Sequence, residues 1–199
     1  MKKISSLLVV ILIGTISTIS AQSISLGGQF GWAIPQGGTF EPVNGEKAAK
    51  GGLAYDIDAL YMLPSFDEKL GAGLTYKGDL LFGLGEGVTG LYTLQLYGVK
   101  GYYKFFSSKV TPYAALSLGL SQFGTPDMIF TDENGEEIGS YEGVKGSSFG
   151  ILPEIGVQFG KFFIAANYLV PMKYKFDGIT GESAGSLAIS IGYRVNIEL

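Results

Sequence analysis

Six charged side chains recur at alternating positions in segments whose other residues are apolar or small. They are Asp56, Asp58, Lys77, Asp79, Glu154 and Arg194. Two carboxylates held close together can carry out acid–base catalysis. Residues i and i+2 of a β-strand, however, point to the same face and simply line it. We therefore interpret the six residues as an ion-pair network that fills a narrow interior, with a gated polar pathway through that interior as the alternative.

A second group of polar residues forms an acidic stretch, DMIFTDENGEEIGSYEG, with six acidic side chains from Asp127 to Glu142. Asn134-Gly135 at its centre predicts a β-hairpin, because this dipeptide is a strong turn signal between β-prone runs. The residues that we single out for interaction are Asp132, Glu133, Asn134, Glu136 and Glu137. Their oxygens could bind a divalent cation, but the spacing differs from that of an EF-hand loop. We favour a solvated acidic tip and predict no metal site.

The chain contains no cysteine and no histidine. Disulfides, thiol nucleophiles and cysteine-linked lipid anchors are therefore excluded, and so are the commonest general base and the commonest transition-metal ligand. The formal net charge is −4, and no run is rich in lysine or arginine, so nothing indicates binding to nucleic acid. We expect a protein that is not an enzyme and that uses no cofactor.

The first 21 residues have the three parts of a secretory signal peptide. Lys2 and Lys3 form the charged region, LLVVILI forms the apolar region, and we expect cleavage after Ala21. The alternative is an uncleaved membrane anchor, although this apolar stretch is short for a spanning helix. We therefore predict one mature domain over residues 22–199.

The mature chain contains eight segments in which apolar residues alternate with small or polar ones. A period of two predicts β-strands. The last segment is the most regular, because every second residue from Leu187 onward is apolar. The segments are SISLGGQFGWAI, GGLAYDIDALYM, LGAGLTYKGDLLF, GLYTLQLYGVKGYYKFF, PYAALSLGLSQF, SSFGILPEIGVQF, FFIAANYLVPMKY and SLAISIGYRVNIEL.

Two of these segments are irregular. In the fourth, Leu94 and Val99 belong to opposite phases, so we predict a β-bulge near Gly98 that puts Lys100 on the polar face. In the sixth, Pro153 cannot donate a hydrogen bond to a neighbouring strand, so we predict a bulge or a local break there.

Short connections alternate with longer ones along the chain. The short ones are PSFDEK, SSK and Gly160-Lys161, and the longer ones cover residues 35–50, 124–146 and 175–185. Outer-membrane barrels have short periplasmic turns and longer external loops. The predicted strands, about 11 to 13 residues each, are long enough to cross a hydrocarbon core when tilted. We therefore predict an all-β fold, an eight-stranded antiparallel up-and-down transmembrane β-barrel.

A soluble β-sandwich or lipocalin-like barrel is the alternative fold. Its solvent-facing side would be rich in lysine and glutamate, whereas here the polar faces are rich in glycine, serine and alanine, which suits a crowded lumen. In lipid every backbone group must be paired, so the last strand should pair with the first. Aromatic residues near strand ends predict two interfacial belts. The periplasmic belt would contain Tyr102, Tyr103, Phe105, Phe106, Phe159 and Phe162, and the outer belt Phe123, Phe149, Tyr174 and Phe176.

With its signal peptide, GVKGYYKFF, VTPYAALSLGLSQF and the closing ISIGYRVNIEL, the chain resembles the OmpA/OmpX/OmpW-type outer-membrane barrels of Gram-negative bacteria. The segment SIGYRVNI is similar to a barrel-assembly signal, although many such barrels end in Phe and this chain ends in Leu199. The resemblance implies an outer-membrane location with both termini in the periplasm. It also implies lipid, lipopolysaccharide and the barrel-assembly machinery as partners. The expected role is structural or surface-interacting through long extracellular loops, and the alternative is a narrow porin-like channel or conduit for small molecules.

Overall fold

The structure, a computed structural model, describes residues 23–42, 48–83, 90–106, 108–131 and 137–198. The predicted signal peptide, residues 1–21, lies outside these ranges. No helix in the described part of the chain is long and apolar enough to span a membrane.

Within the described residues, eight long antiparallel strands form a closed barrel, and two short strands form a separate hairpin. Each long strand coincides with one of the segments in which apolar residues alternate, as expected for a sheet with one apolar face. The barrel strands are β1 (Ser23–Gln36), β2 (Ala49–Met62), β3 (Leu70–Gly83), β4 (Leu91–Lys104), β5 (Val110–Gly124), β8 (Lys145–Phe159), β9 (Phe162–Phe176) and β10 (Ile179–Glu198). The hairpin consists of β6 (Met128–Thr131) and β7 (Glu137–Tyr141), and one-turn 3₁₀ helices cover Gly38–Phe40 and Pro64–Phe66.

The first and last strands close the barrel. β10 pairs with β1 from Ser23 and Glu198 at one end to Gln36 and Gly185 at the other. The other edge of β1 pairs with β2, so the order around the barrel is β1, β10, β9, β8, β5, β4, β3, β2. The prediction that the last strand completes the ladder by pairing with the first is confirmed.

The two ends of the barrel differ in their connections. The lower end, as we call it, holds Ser23 and Glu198 together with the short connections that follow β2, β4 and β8. The upper end holds the last residues of β1 and β3 and the β6–β7 hairpin. The predicted separation is confirmed for the three short connections and for the longer ones that follow β1 and β5.

The connection between β9 and β10 is shorter than the sequence predicts. Residues 175–185 are expected to form a loop, but only Asp177 and Gly178 lie between the two strands. Their φ angles are 45° and 88°. Positive φ at both central residues is the mark of a type I′ turn, which Asp-Gly favours. The predicted loop is therefore wrong, because the turn signal outweighs the polar composition around it.

β4 runs without the bulge that its sequence suggests. Its pairing with β3 and with β5 is continuous past Gly98. Leu94, Leu96 and Lys100 consequently face the interior, where they are buried, while Val99 is exposed on the outside. The predicted bulge is wrong. The inward face of β4 is apolar at Leu94 and Leu96 but polar at Lys100, and in the sequence this change along one face looks like a shift of the apolar residues to the other face.

The irregularity predicted at Pro153 is confirmed on one side of β8. The pairing between β8 and β9 shifts register between Ser147 and Glu154. On its other side, β8 pairs continuously with β5. Proline lacks an amide hydrogen, so one of its two neighbouring strands must lose a ladder bond.

Candidate functional site

The described part of the barrel interior is filled by three layers of side chains. A polar layer lies in the middle, with an upper apolar layer and a lower apolar layer on either side of it. Alternation along each strand selects the residues that enter. In β2, the inward residues from the upper to the lower end include Ala54, Asp56, Asp58 and Leu60. All six charged residues predicted to line the interior are buried there.

Arg194 and Asp58 form a bidentate ion pair in the polar layer. Nη1 and Nη2 of Arg194 donate to Oδ1 and Oδ2 of Asp58, each at 2.8 Å. Charge-assisted pairs with this geometry are among the strong hydrogen bonds of proteins. The guanidinium carbon lies 4.9 Å from the ring centre of Tyr102 and 5.4 Å from that of Phe163, within cation–π range. Gly27 leaves space for this pair, because a Cβ there would lie 2.7 Å from Arg194 Nη2.

Lys100 connects three carboxylates; the sequence pattern places it on the polar face, but it is not among the six residues of the predicted network. Its Nζ donates to Asp58 Oδ2 at 3.0 Å and to Glu154 Oε2 at 3.1 Å, and lies 3.8 Å from Asp56 Oδ1. The predicted bulge and the observed uninterrupted strand both put Lys100 on the inner face. Uninterrupted alternation from Leu96 onward was the signal that could have added Lys100 to the network.

Lys77 and Asp79 form a separate pair on β3. Lys77 Nζ donates to Asp79 Oδ1 at 2.6 Å, and Ser186 Oγ donates to Asp79 Oδ2 at 2.5 Å. Both charged side chains are almost completely buried. The other four predicted charges gather around Lys100, so the structure divides the predicted network into two neighbouring groups.

Two buried amides that the sequence prediction also missed complete the polar layer. Gln29 Nε2 donates to Glu154 Oε2 at 3.0 Å, and Asn167 is the cross-strand neighbour of Glu154. Gln29 and Asn167 each lie on the face of their strand that carries small residues. This placement is the sequence signal that could have identified them as interior residues. Among the described residues, Gln29 Oε1, Asn167 Oδ1, Asp56 Oδ2 and Glu154 Oε1 have no hydrogen-bond partner. No group of three or more His, Cys, Asp or Glu in those same ranges is arranged to hold a metal ion.

The upper layer is apolar and largely aromatic. Phe40 enters it from the 3₁₀ helix that follows β1, and its ring packs edge-on against Tyr92 and Phe123 at centroid distances of 5.5 Å and 5.9 Å. The rings of Tyr92 and Phe123 stack at 6.1 Å. The other members are Ala33, Ala49, Ala54, Leu81, Leu94, Leu96, Leu152, Leu169, Tyr174, Ala184 and Ala188. The segment after β1 therefore contributes a ring to the packed interior.

The lower layer is a smaller apolar cluster. It consists of Leu60, Met62, Tyr102, Tyr113, Ala115, Phe163 and Ala165. The ring of Tyr113 lies 4.9 Å from that of Tyr102 and 6.0 Å from that of Phe163. Packed apolar side chains thus bound the polar layer on both sides.

The aromatic residues predicted to form interfacial belts divide between the two faces of the barrel. Those exposed on the outside are Tyr103, Phe105, Phe106, Phe149, Phe159 and Phe162. Tyr102, Phe123 and Tyr174 are buried inside, and Phe176 packs against the upper layer. The prediction of an outer belt is therefore wrong for Phe123, Tyr174 and Phe176, and the prediction of a periplasmic belt is wrong for Tyr102. Position near a strand end does not distinguish a ring at the membrane interface from a ring that fills the interior.

The outward face of the barrel is apolar. Large apolar side chains are exposed on every barrel strand, as at Trp32, Ile57, Leu74, Ile155 and Ile191, with exposed fractions from 50% to 69%. A soluble monomer rarely exposes an apolar surface of this extent. A lipid-facing band of apolar side chains is the arrangement found in transmembrane barrels.

The β6–β7 hairpin confirms that the acidic stretch turns back on itself. Met128 pairs with Tyr141, and Thr131 pairs with Glu137. The predicted Asn134-Gly135 turn lies outside the described residues. So do four of the five residues singled out for interaction, which are Asp132, Glu133, Asn134 and Glu136.

Among the comparisons with known proteins, the one with solved structures found similar proteins. No protein-family model and no curated protein matches the chain. Neisserial surface protein A, an eight-stranded outer-membrane barrel, is similar with a TM-score of 0.53 and 16% identity, over 85% of this chain and 96% of that one. This chain has the fold of the eight-stranded outer-membrane β-barrels. Two further similar structures are OprG of Pseudomonas aeruginosa (TM-score 0.49, 14% identity, 88% of this chain and 96% of that one) and Ail, the attachment invasion locus protein of Yersinia pestis (TM-score 0.47, 16% identity, 89% and 100%).

The barrel fold accounts for the arrangement of the site. In an eight-stranded barrel the interior is just wide enough to be filled by side chains. The charged residues of this barrel therefore pair with one another rather than line a wide aqueous channel.

Proposed function

We propose that this chain is an integral outer-membrane protein with a closed interior, and that the loops at its upper end form its interaction surface. The signal peptide of residues 1–21 would direct its export. The lower end, with both termini and the short turns, would face the periplasm, as is usual for outer-membrane barrels.

The observation that carries this proposal is the packing of the interior. A conduit for water or ions needs a continuous polar path. Here the polar layer is bounded by apolar layers, and its basic groups within the described ranges, Lys77, Lys100 and Arg194, are engaged in ion pairs. The interaction surface would then lie outside the barrel interior, above all on the β6–β7 hairpin with the acidic residues of its sequence.

The predicted partners follow from the outer surface. Apolar side chains on every strand suit contact with membrane lipid. Three exposed lysines near the upper end, Lys145, Lys173 and Lys175, lie on the adjacent strands β8 and β9. Their ammonium groups would suit the phosphates of lipopolysaccharide. The C-terminal strand with its apolar alternation would be the segment recognised by the barrel-assembly machinery.

We assign no catalytic role to the interior. The paired carboxylates that could act as acids or bases, Asp56 and Asp58, are both buried in the polar layer. Asp58 is held there by Arg194, and Asp56 Oδ1 lies 3.8 Å from Lys100 Nζ. A substrate would have to displace packed side chains to reach them.

Conductance in a planar lipid bilayer tests the closed interior against the channel alternative. We expect the refolded protein, its folding verified by a heat-dependent gel shift, to give no discrete openings in the bilayer. Reproducible openings of the native protein would contradict the proposal and favour a narrow channel. Phe40→Ala removes the ring that enters the upper layer, and Phe66→Ala, an exposed ring on the other 3₁₀ helix, is the matched control. If Phe40 is part of the closure, only the Phe40 variant should become leaky.

A further inference from the structure

The polar layer contains one more negative charge than positive charge. Four acidic and three basic side chains are buried among the described residues; the acidic ones are Asp56, Asp58, Asp79 and Glu154, and the basic ones are Lys77, Lys100 and Arg194. The pair on β3 is neutral. Around Lys100 and Arg194, three carboxylates therefore face two cations.

The excess charge lies on particular atoms. Glu154 Oε2 accepts from both Lys100 and Gln29, and Asp56 Oδ1 accepts from Thr75 at 3.4 Å and faces Lys100. The second oxygen of each carboxylate, Glu154 Oε1 and Asp56 Oδ2, makes no hydrogen bond with the described residues, and neither does the buried hydroxyl of Tyr113, which faces Glu154. Asp58 differs, because both of its oxygens are bound by Arg194.

Two neutral oxygens accompany these carboxylate oxygens. Gln29 is the cross-strand neighbour of Asp56, and its amide nitrogen binds Glu154. Asn167 is the cross-strand neighbour of Glu154. Both amides are more than nine-tenths buried, and both amide oxygens are unpartnered within the described ranges. The four side chains thus form a continuous series in which each one is adjacent to the next.

A buried carboxylate without a partner is costly, and so is a buried amide oxygen without a donor. A buried water could donate to these oxygens but would leave the excess negative charge, whereas a cation that accepts oxygen ligands relieves both costs at once. We propose that the polar layer binds one monovalent cation through the unpartnered oxygens of Asp56, Glu154, Gln29 and Asn167.

The charge count favours a monovalent ion. A single positive charge makes the buried layer neutral, whereas a divalent ion would leave it positive next to Lys100 and Arg194. Oxygen atoms of carboxylates and amides are suitable ligands, since protein carbonyl oxygens can replace the hydration shell of an alkali-metal ion. The apolar layers above and below would keep the ion in place once the barrel has closed.

The test compares alkali cations with a bulky organic cation at constant ionic strength. The native protein is refolded separately in sodium, potassium or N-methylglucamine chloride at about pH 8, well above the pKa of ordinary carboxyl groups. Thermal unfolding is followed by far-ultraviolet circular dichroism. We expect the unfolding midpoint to be about 2–4 °C higher in sodium or potassium than in the organic salt, because a ligand of the folded state stabilises it.

Two variants and a control identify the site. Glu154→Gln removes the excess charge at nearly constant shape, and we expect it to abolish the difference between the salts. Asn167→Leu keeps every charge but removes one oxygen ligand, and we expect it to require a higher cation concentration for the same shift. Glu182→Gln removes an exposed carboxylate and should respond as the native protein does.

The outcomes separate an ion bound in the polar layer from a proton held there and from a cation bound elsewhere. Equal midpoints in all three salts would overturn the proposal and leave a proton on Asp56 or Glu154 as the neutralising species. A response that persists unchanged in both Glu154→Gln and Asn167→Leu would also overturn it, because the cation would then act elsewhere. The groups that face the site, Lys100, Arg194 and Tyr113, stay unaltered in every variant. If Glu154→Gln fails to refold, Asn167→Leu still decides between these outcomes.

Discussion

The polar layer and the upper layer fill the same barrel by different physics. The upper layer packs rings and aliphatic side chains, and its contribution grows with the area and volume that it fills. The polar layer is held by directional contacts such as the bidentate pair of Arg194 and Asp58. Loss of one partner there leaves a charge in a narrow interior. The interior is therefore closed twice, once by shape and once by charge, and we expect the two regions to fail in different ways.

The largest effect is expected in the polar layer. Arg194→Met leaves the Asp58 carboxylate without its bidentate partner, and we expect the free energy of unfolding to fall by about 3–5 kcal/mol. Urea titration of the refolded barrel measures it. The double variant Arg194→Met with Asp58→Asn removes both charges and should recover most of the loss. A double variant as unstable as the single one would show that packing, and not charge, dominates this region.

A somewhat smaller effect is expected in the upper layer. Phe123→Ala removes a buried ring that contacts Phe40, Tyr92 and Tyr174, and should cost about 3 kcal/mol through the cavity that it leaves. Phe149→Ala is the matched control, since that ring is exposed on the outside. The same urea titration applies. Equal losses for the two variants would contradict the assignment of Phe123 to the interior.

The smallest effects are expected for substitutions of two glycines, one on the inner face of the barrel sheet and one on its outer face. A Cβ at Gly119 would meet the backbone of Tyr97 and Gly98, whereas a Cβ at Gly28 meets nothing within 4 Å. We expect Gly119→Ala to cost about 1–3 kcal/mol through overpacking. Gly28→Ala should change the stability by less than about 0.5 kcal/mol. If Gly28→Ala destabilised the protein more than Gly119→Ala, the assignment of Gly119 to the inner face and of Gly28 to the outer face would be wrong.

The sequence predicts the polar layer better than the upper layer, and for a physical reason. Charges such as Asp56 and Asp58 differ from the apolar residues beside them, so their phase marks the interior directly. Leu94, Phe123 and Tyr174 are chemically like the lipid-facing residues of the same strands. Their alternation therefore cannot say which apolar face points inward, and this ambiguity produced both the false bulge in β4 and the false outer belt.

The strands themselves were predictable because alternation and turn chemistry act locally. The tight turn at Gly160-Lys161 and the pairing of the first and last strands follow from rules about backbone hydrogen bonds. Pairing across the lumen is different. That Lys100 meets both Asp58 and Glu154 depends on the stagger of the five adjacent strands from β2 to β8, which no local pattern encodes.

Accessibility of the polar layer to water tests the closed interior most directly. The native chain has no cysteine, so single cysteines report unambiguously. Ser117→Cys places a thiol in the polar layer, and Ser140→Cys places one on the exposed β7 strand. In protein reconstituted in lipid vesicles, we expect a water-soluble thiosulfonate to react at least about 100-fold more slowly at position 117, where only opening of the barrel exposes the thiol. Similar rates at the two positions would show that the interior is filled with water and would contradict a closed barrel.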